Sequence, residues 1–274
     1  MEIQTLYLIF AYIFTALFGV CVGSFLNVVI YRVPIGKSVI GNEEPSHCPK
    51  CGYKLKWYDN IPILSYIILG GKCRSCKQHI TFRYTIVEAG NMLLWLLCLW
   101  AFFDVSAPIT LVYAVLAMLA CSVGLCVFFI DYEHTIIPDR FHFIYLGIGV
   151  GMLLYDLFSG HAVLAWYDRL IGLGGGLGLF LLIYFGALLV LKREGMGQGD
   201  VKFAAAIGFV LGWKALLVMV LIASLSASVV LVAVKLKNKE ENGKEYPFGP
   251  FLVVGSWIAL LAGNFLIDLY ISLL

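Results

Sequence analysis

The chain has 274 residues, 61% of them hydrophobic and 13% charged, with a formal net charge of +2. Soluble domains carry about 25% charged residues, so this composition excludes one and marks a polytopic membrane protein surrounded by lipid. A balance so near neutral also excludes a bulk electrostatic partner such as nucleic acid.

A helix needs about 20 apolar residues to cross the hydrocarbon. Runs of that kind lie at 5–30, 86–103, 109–130, 141–158, 170–191, 214–234 and 251–273. The stretch 201–213 is apolar but short, and reads as a tilted or re-entrant eighth segment packed inside protein. The expected fold is an all-α polytopic membrane protein of about eight transmembrane segments, with a small cytoplasmic zinc-ribbon-like insertion. Its parts are a first transmembrane segment (1–31), the insertion (32–85) and a transmembrane core (86–274). The first run has no basic flank before Arg32 and is too long for the apolar part of a signal peptide.

The insertion carries Cys48-Pro49-Lys50-Cys51 and Cys73-Arg74-Ser75-Cys76. Thiolates at i and i+3 of a tight turn point at one centre, and two such turns complete the tetrahedron that zinc prefers. Four sulfurs leave no position for water, so the metal expected at Cys48, Cys51, Cys73 and Cys76 is structural zinc. A reducing compartment argues against disulfides. Gly52 and Gly71 stand where tight turns need them. His47 and His79 border the knuckles, but four cysteines suffice. Cys21, Cys98, Cys121 and Cys126 fall in apolar runs, where free cysteine behaves as a small hydrophobe.

Farther on, the run Leu111–Ile130 ends at Asp131. Asp139 stands at the N-cap position of the next helix, where Asp is preferred. Gly172, Gly174, Gly175, Gly176 and Gly178 read as a close helix-packing face. The charged stretch from Lys235 to Tyr246 reads as a solvated link, and no internal repeat is evident.

Asp200 follows Gly197-Gln198-Gly199 and opens an apolar run. An ionisable side chain at membrane depth costs roughly 2.5–3.5 kcal/mol on insertion scales, and the glycines let backbone come close. Taken singly, Asp200 reads as an N-cap with Lys202 as its partner, and Asp131 as a helix end reaching water. Taken together they resist that reading, because an acid at a helix C-terminus opposes the dipole. Two such carboxylates placed close together share a proton and can run aspartyl proteolysis. Readings of another class are a proton- or ion-coupled transporter and a non-enzymatic zinc-bearing assembly factor. The first expects acids near the midplane and often repeats; the second leaves Gly-Gln-Gly-Asp unexplained.

Basic residues orient the chain. With eight segments and an outer N-terminus, 17 of the 19 Lys and Arg face the cytoplasm, Arg169 and Lys214 being the exceptions. Asp131 and Asp200 then share the cytoplasmic face.

Motifs spread in order along the whole chain resemble the prepilin peptidase, or type IV leader peptidase, family. They are Gly23-Ser24-Phe25-Leu26-Asn27 continuing to Pro34, the two Cys-x-x-Cys pairs, and Arg83-Tyr84-Thr85-Ile86-Val87-Glu88. Asp131 with Pro138-Asp139, Gly195-Met196-Gly197-Gln198-Gly199-Asp200-Val201-Lys202 and Pro247-Phe248-Gly249-Pro250 complete the set. Thr85 departs from a frequent proline. The paired aspartates are similar to those of the wider Gly-x-Gly-Asp intramembrane proteases. The resemblance implies Asp131 and Asp200 as the catalytic pair. It implies a type IV prepilin or pseudopilin substrate, cut after a glycine at the cytoplasmic face of the bacterial inner membrane. It also implies N-methylation of the new N-terminus with S-adenosylmethionine. Gly197, Gly199, Lys202, Asp139, Glu88 and Arg83 are the supporting residues it points to; none of them is assigned to the methyl donor.

Overall fold

The structure, a computed structural model, describes residues 2–39, 47–48, 50–192, 196–237 and 246–273. Pro49, Gly195 and the charged link at 238–245 lie outside them. The described residues are helical, apart from turns and two isolated β-bridges. Seven helices are long and apolar enough to cross a membrane, so the all-α polytopic reading holds. The chain divides into two compact units, Met1–Ser106 and Ala107–Leu274.

In the first unit, α1 (Glu2–Arg32) runs antiparallel to α3 (Arg83–Phe102). Small residues set their distance: a methyl on Gly23 would meet Glu88 Cα at 2.7 Å, and one on Gly19 would meet Met92 Cα at 3.0 Å. Such close approach is how helices associate in lipid, where apolar side chains gain little from one another. Buried amides bridge the seam. Asn91 Nδ2 donates to the Gly19 carbonyl at 2.7 Å and Asn27 Nδ2 to the Tyr84 carbonyl at 3.2 Å.

Between these helices lie a 3₁₀ turn (Trp57–Asn60), a short α2 (Leu64–Ile68) and two knuckles of matching build. Cys48 N–H donates to the Tyr53 carbonyl and Gly52 N–H returns to Cys48; Cys73 N–H donates to Gln78 and Lys77 N–H returns to Cys73. The bridges His47–Lys54 and Lys72–His79 close both loops at the same offset. The sequence shows only the cysteines of this internal duplication. At the tip of each turn a residue takes positive φ, a glycine (Gly52) in one and a lysine (Lys77) in the other.

The second unit contains α4 (Thr110–His134), α5 (Asp139–Phe158), α6 (Trp166–Leu191), α7 (Gln198–Leu211), α8 (Trp213–Lys237) and α9 (Gly249–Ser272). The short α7 is the axis: from Phe203 to Leu211 every residue is buried. It lies against α6 backbone to backbone, since methyls on Gly172 and Gly176 would run into the carbonyls of Gly208 and Ala204. The other three glycines of the expected face, Gly174, Gly175 and Gly178, meet nothing, so two of its five are used. Gly212, at φ +76°, breaks α7 from α8, a conformation glycine adopts without steric cost.

The far end of α7 is held by a side chain the charge reading placed in an outer loop. Arg169 is fully buried. Its Nε donates to Asp156 Oδ2 at 2.6 Å, one terminal nitrogen to the Val210 carbonyl at 2.6 Å and the other to Tyr113 Oη at 3.3 Å. Asp156 Oδ1 also accepts the Val163 N–H at 2.8 Å.

Candidate active site

Asp131 sits in the last turn of α4 and is buried. Its carbonyl accepts the Thr135 N–H at 2.8 Å, and Thr135 ends the helix at φ +54°. A β-branched residue rarely adopts that conformation, and such strain costs about 1–3 kcal/mol. The Asp131 carboxylate accepts the Gly249 N–H, at the start of α9, at 2.9 Å. No side chain fits there: a Cβ on Gly249 would stand 2.5 Å from Asp131 Oδ2 and 2.9 Å from Cγ. The motif containing Gly249 is visible in the sequence, but its contact with Asp131 is not, because 118 positions separate the two.

Asp200 occupies the third position of α7, half-buried, after the N-cap Gly197. It is therefore not the cap itself. Its N–H bonds the Gly197 carbonyl at 3.1 Å, and its carboxylate turns back so that a Cβ on Gly197 would lie 3.4 Å from Oδ2. Gly199 serves packing: a Cβ there would meet Ile137 Cβ at 3.3 Å. Ile137 belongs to the α4–α5 turn six residues after Asp131, so this contact draws the end of α4 toward the start of α7.

Lys202 is not the partner of Asp200. Its Nζ lies 2.7 Å from Asp139 Oδ1, half a turn being enough to carry it to the α5 side. Asp139 is the first residue of α5 rather than its cap, which is Pro138. His142, one turn on, places Nδ1 3.4 Å from the same carboxylate oxygen. No sequence signal had singled out His142.

The cysteines, Arg83 and Glu88 belong to the first unit. The sulfurs of Cys48, Cys51, Cys73 and Cys76 all lie within 4.8 Å of one another, with Cys48–Cys76 at 3.9 Å and Cys51–Cys73 at 4.0 Å. Zinc at 2.3 Å from each thiolate needs edges of about 3.8 Å, so the four residues fit a tetrahedral ion. The backbone N–H of Cys51, then that of Lys50, holds the Cys48 thiol down at about 6, against an ordinary 9.0. Asp59 ties the knuckles together: it accepts Arg74 Nε at 2.7 Å and Tyr53 Oη at 3.2 Å. Glu88, also buried, accepts the Ile63 N–H at 2.7 Å. Arg83 opens α3 with its guanidinium 5.3 Å from the centre of the Tyr84 ring.

Comparison with known proteins decides the family. Residues 17–102 match the bacterial peptidase A24 N-terminal domain, and residues 118–232 match the type IV leader peptidase family. The chain is 33% identical to a prepilin leader peptidase/N-methyltransferase of Aeromonas salmonicida, over 93% of this chain and 92% of that one. The protein of the same name from Pseudomonas aeruginosa is 34% identical, with 94% and 92% covered. The chain belongs to the type IV leader peptidase family. The one from Myxococcus xanthus is 34% identical over 86% of this chain and 68% of that one. No solved structure matches. This leader peptidase is therefore an enzyme, and the transporter and scaffold readings fall away.

Proposed function

We propose that this leader peptidase is an intramembrane aspartyl endopeptidase, with Asp131 and Asp200 as its catalytic pair and a type IV prepilin or pseudopilin as its substrate. The observation that carries this reading is the convergence of the ends of α4, α7 and α9 on two carboxylates, through Ile137 against Gly199 and Gly249 against Asp131. Like charges this placed do not both ionise. The ionised member takes a proton from water, and that water attacks the scissile carbonyl carbon. The protonated member donates to the carbonyl oxygen and then supplies the proton to the leaving nitrogen. Gly249 fixes the rotamer of Asp131. Asp139 is neutralised by Lys202 and stays outside the chemistry.

The cut falls after a glycine, ahead of the apolar helix of the substrate, as the family resemblance implies. The distribution of Lys and Arg supports a site at the cytoplasmic face of the inner membrane, since eight segments with an outer N-terminus leave 17 of 19 on that side. Zinc at the four cysteines holds the knuckles together and stays apart from the reaction. The names of the relatives add N-methylation of the freshly cut N-terminus. S-adenosylmethionine, when bound, supplies the methyl group on a sulfonium, activated for attack by a nitrogen lone pair.

The test is cleavage of a reconstituted prepilin by wild type, Asp131→Asn and Asp200→Asn, read by mass spectrometry. Both variants are expected to keep zinc and fold and to lose leader removal. Wild-type cleavage by either one sinks the aspartyl mechanism.

A further inference from the structure

We propose that Asn27, Thr85 and Glu88 form a second site, which binds a cationic group — the ammonium of an α-amine or the sulfonium of a methyl donor. The proposal rests on the methyl-transfer half of the function above and gives it a place in the first unit.

Three polar side chains share the seam between α1 and α3, at the end from which the insertion leaves. The antiparallel register pairs Gly23 with Glu88 and Asn27 with Tyr84. Glu88 therefore lies one turn from Asn27, with Thr85 on its own face one turn back. All three are more than nine-tenths buried.

Their hydrogen bonding is incomplete. Asn27 Nδ2 donates to the carbonyls of Gly23, at 3.3 Å, and Tyr84, at 3.2 Å. Both partners accept, which fixes the amide the right way round. Asn27 Oδ1 is then buried with no donor, and Thr85 Oγ1 is likewise unpartnered. Buried polar atoms in native proteins are almost always satisfied, and each exception needs a cause. The carboxylate of Glu88 adds a negative charge in reach of Ser24 and of the Ile63 N–H. The cluster is a set of oxygens that suits positive charge, an ammonium by hydrogen bonds and a sulfonium by its charge alone.

Ile63 shows how the site opens. It covers Glu88 from the insertion at φ +60° and ψ −51°, with Leu64 N–H bonded to the Pro62 carbonyl across it. That is a γ-turn of the rare, strained hand, on a β-branched residue. Among the described residues only two β-branched side chains take positive φ. One is Thr135, bonded to Asp131; the other is Ile63, bonded to Glu88. Incoming N–H or sulfonium charge replaces the Ile63 N–H at the carboxylate, and the turn relaxes as it lifts.

In the transfer the ammonium first gives one proton to Glu88, which passes it to water, and the freed lone pair forms the new N–C bond while the S–C bond breaks. The bonding pair remains on sulfur as a neutral thioether, and the methylated nitrogen leaves as an ammonium.

The test measures binding to the full-length protein in nanodiscs, using S-adenosylmethionine, its neutral thioether S-adenosylhomocysteine, and a pre-cut pilin peptide with a free or acetylated N-terminus. Wild type is expected to favour a charged probe over its neutral counterpart by about tenfold, the size of one hydrogen bond to a charge. Glu88→Gln is expected to erase that preference, to lower methylation at least about tenfold, and to leave leader cleavage intact. Which pair shows the preference, sulfonium or ammonium, names the occupant. Equal binding of charged and neutral probes by wild type, or an unchanged preference in Glu88→Gln, overturns the proposal; the wild-type comparison holds even where the variant does not fold. A wild type that cleaves but never methylates overturns the methyl-transfer reading instead, and the amine peptides still decide whether the cation site exists.

Discussion

Gly249 shows how a residue with no side chain governs one that has chemistry. Its N–H fixes one oxygen of Asp131 at 2.9 Å, and the missing Cβ leaves the carboxylate its room. Gly249→Ala pushes a methyl into that carboxylate. A misplacement on the order of 1 Å costs about 10²-fold in rate, so kcat for leader cleavage is expected to fall by about that factor while KM stays within a few-fold. Single-turnover cleavage checks it; a KM effect with an unchanged kcat refutes the role. The same residue marks where sequence reading stops. Asp131 and Asp200 were legible because a carboxylate ending an apolar run conflicts with its surroundings. Gly249 was legible only as part of a motif, since its meaning lies in a contact across 118 positions. Lys202 meets Asp139 and not Asp200 because adjacency in sequence says little about which face of a helix a side chain takes; two positions along α7 turn it about 200° away.

At the scale of elements, α7 is the part whose placement matters most, and both its ends are held by side chains, Ile137 at Gly199 and Arg169 at Val210. Arg169 grips the Val210 carbonyl, and Arg169 is paired with Asp156 out of reach of water. Removing one partner of a buried ion pair costs about 3–5 kcal/mol, whereas replacing both by apolar residues is often neutral. Arg169→Met is therefore expected to destabilise the protein by about 3–5 kcal/mol, and Arg169→Met with Asp156→Leu by much less. Thermal melts in one detergent decide it, and a double variant as unstable as the single removes the ion-pair argument. Sequence reading found all the long helices, because a bilayer imposes a length on them. It could not find this network: Asp156 and Arg169 look like ordinary loop and helix-end charges, 13 positions apart, until the fold buries them.

The molecule as a whole divides its chemistry between two compact units, cysteines and Glu88 in one, Asp131 and Asp200 in the other. A structural zinc contributes roughly 10–16 kcal/mol of apparent binding free energy that is also folding free energy. Chelation is expected to open residues 47–80 to protease while the stretch from Ala107 onward keeps its protection. Cleavage spread evenly over both units after chelation contradicts that division. The duplicated knuckles explain why so small a segment folds: each closes its own loop, and Asp59 joins them through Arg74 and Tyr53. The short α7 has one more consequence. Ten residues separate Asp200 from the carbonyl held by Arg169, a rise of about 15 Å along a helix. The long helices can tilt to suit a thicker or thinner bilayer, but this length cannot. It is a ruler built into the enzyme, and it measures the depth of the cut from the protein rather than from the lipid.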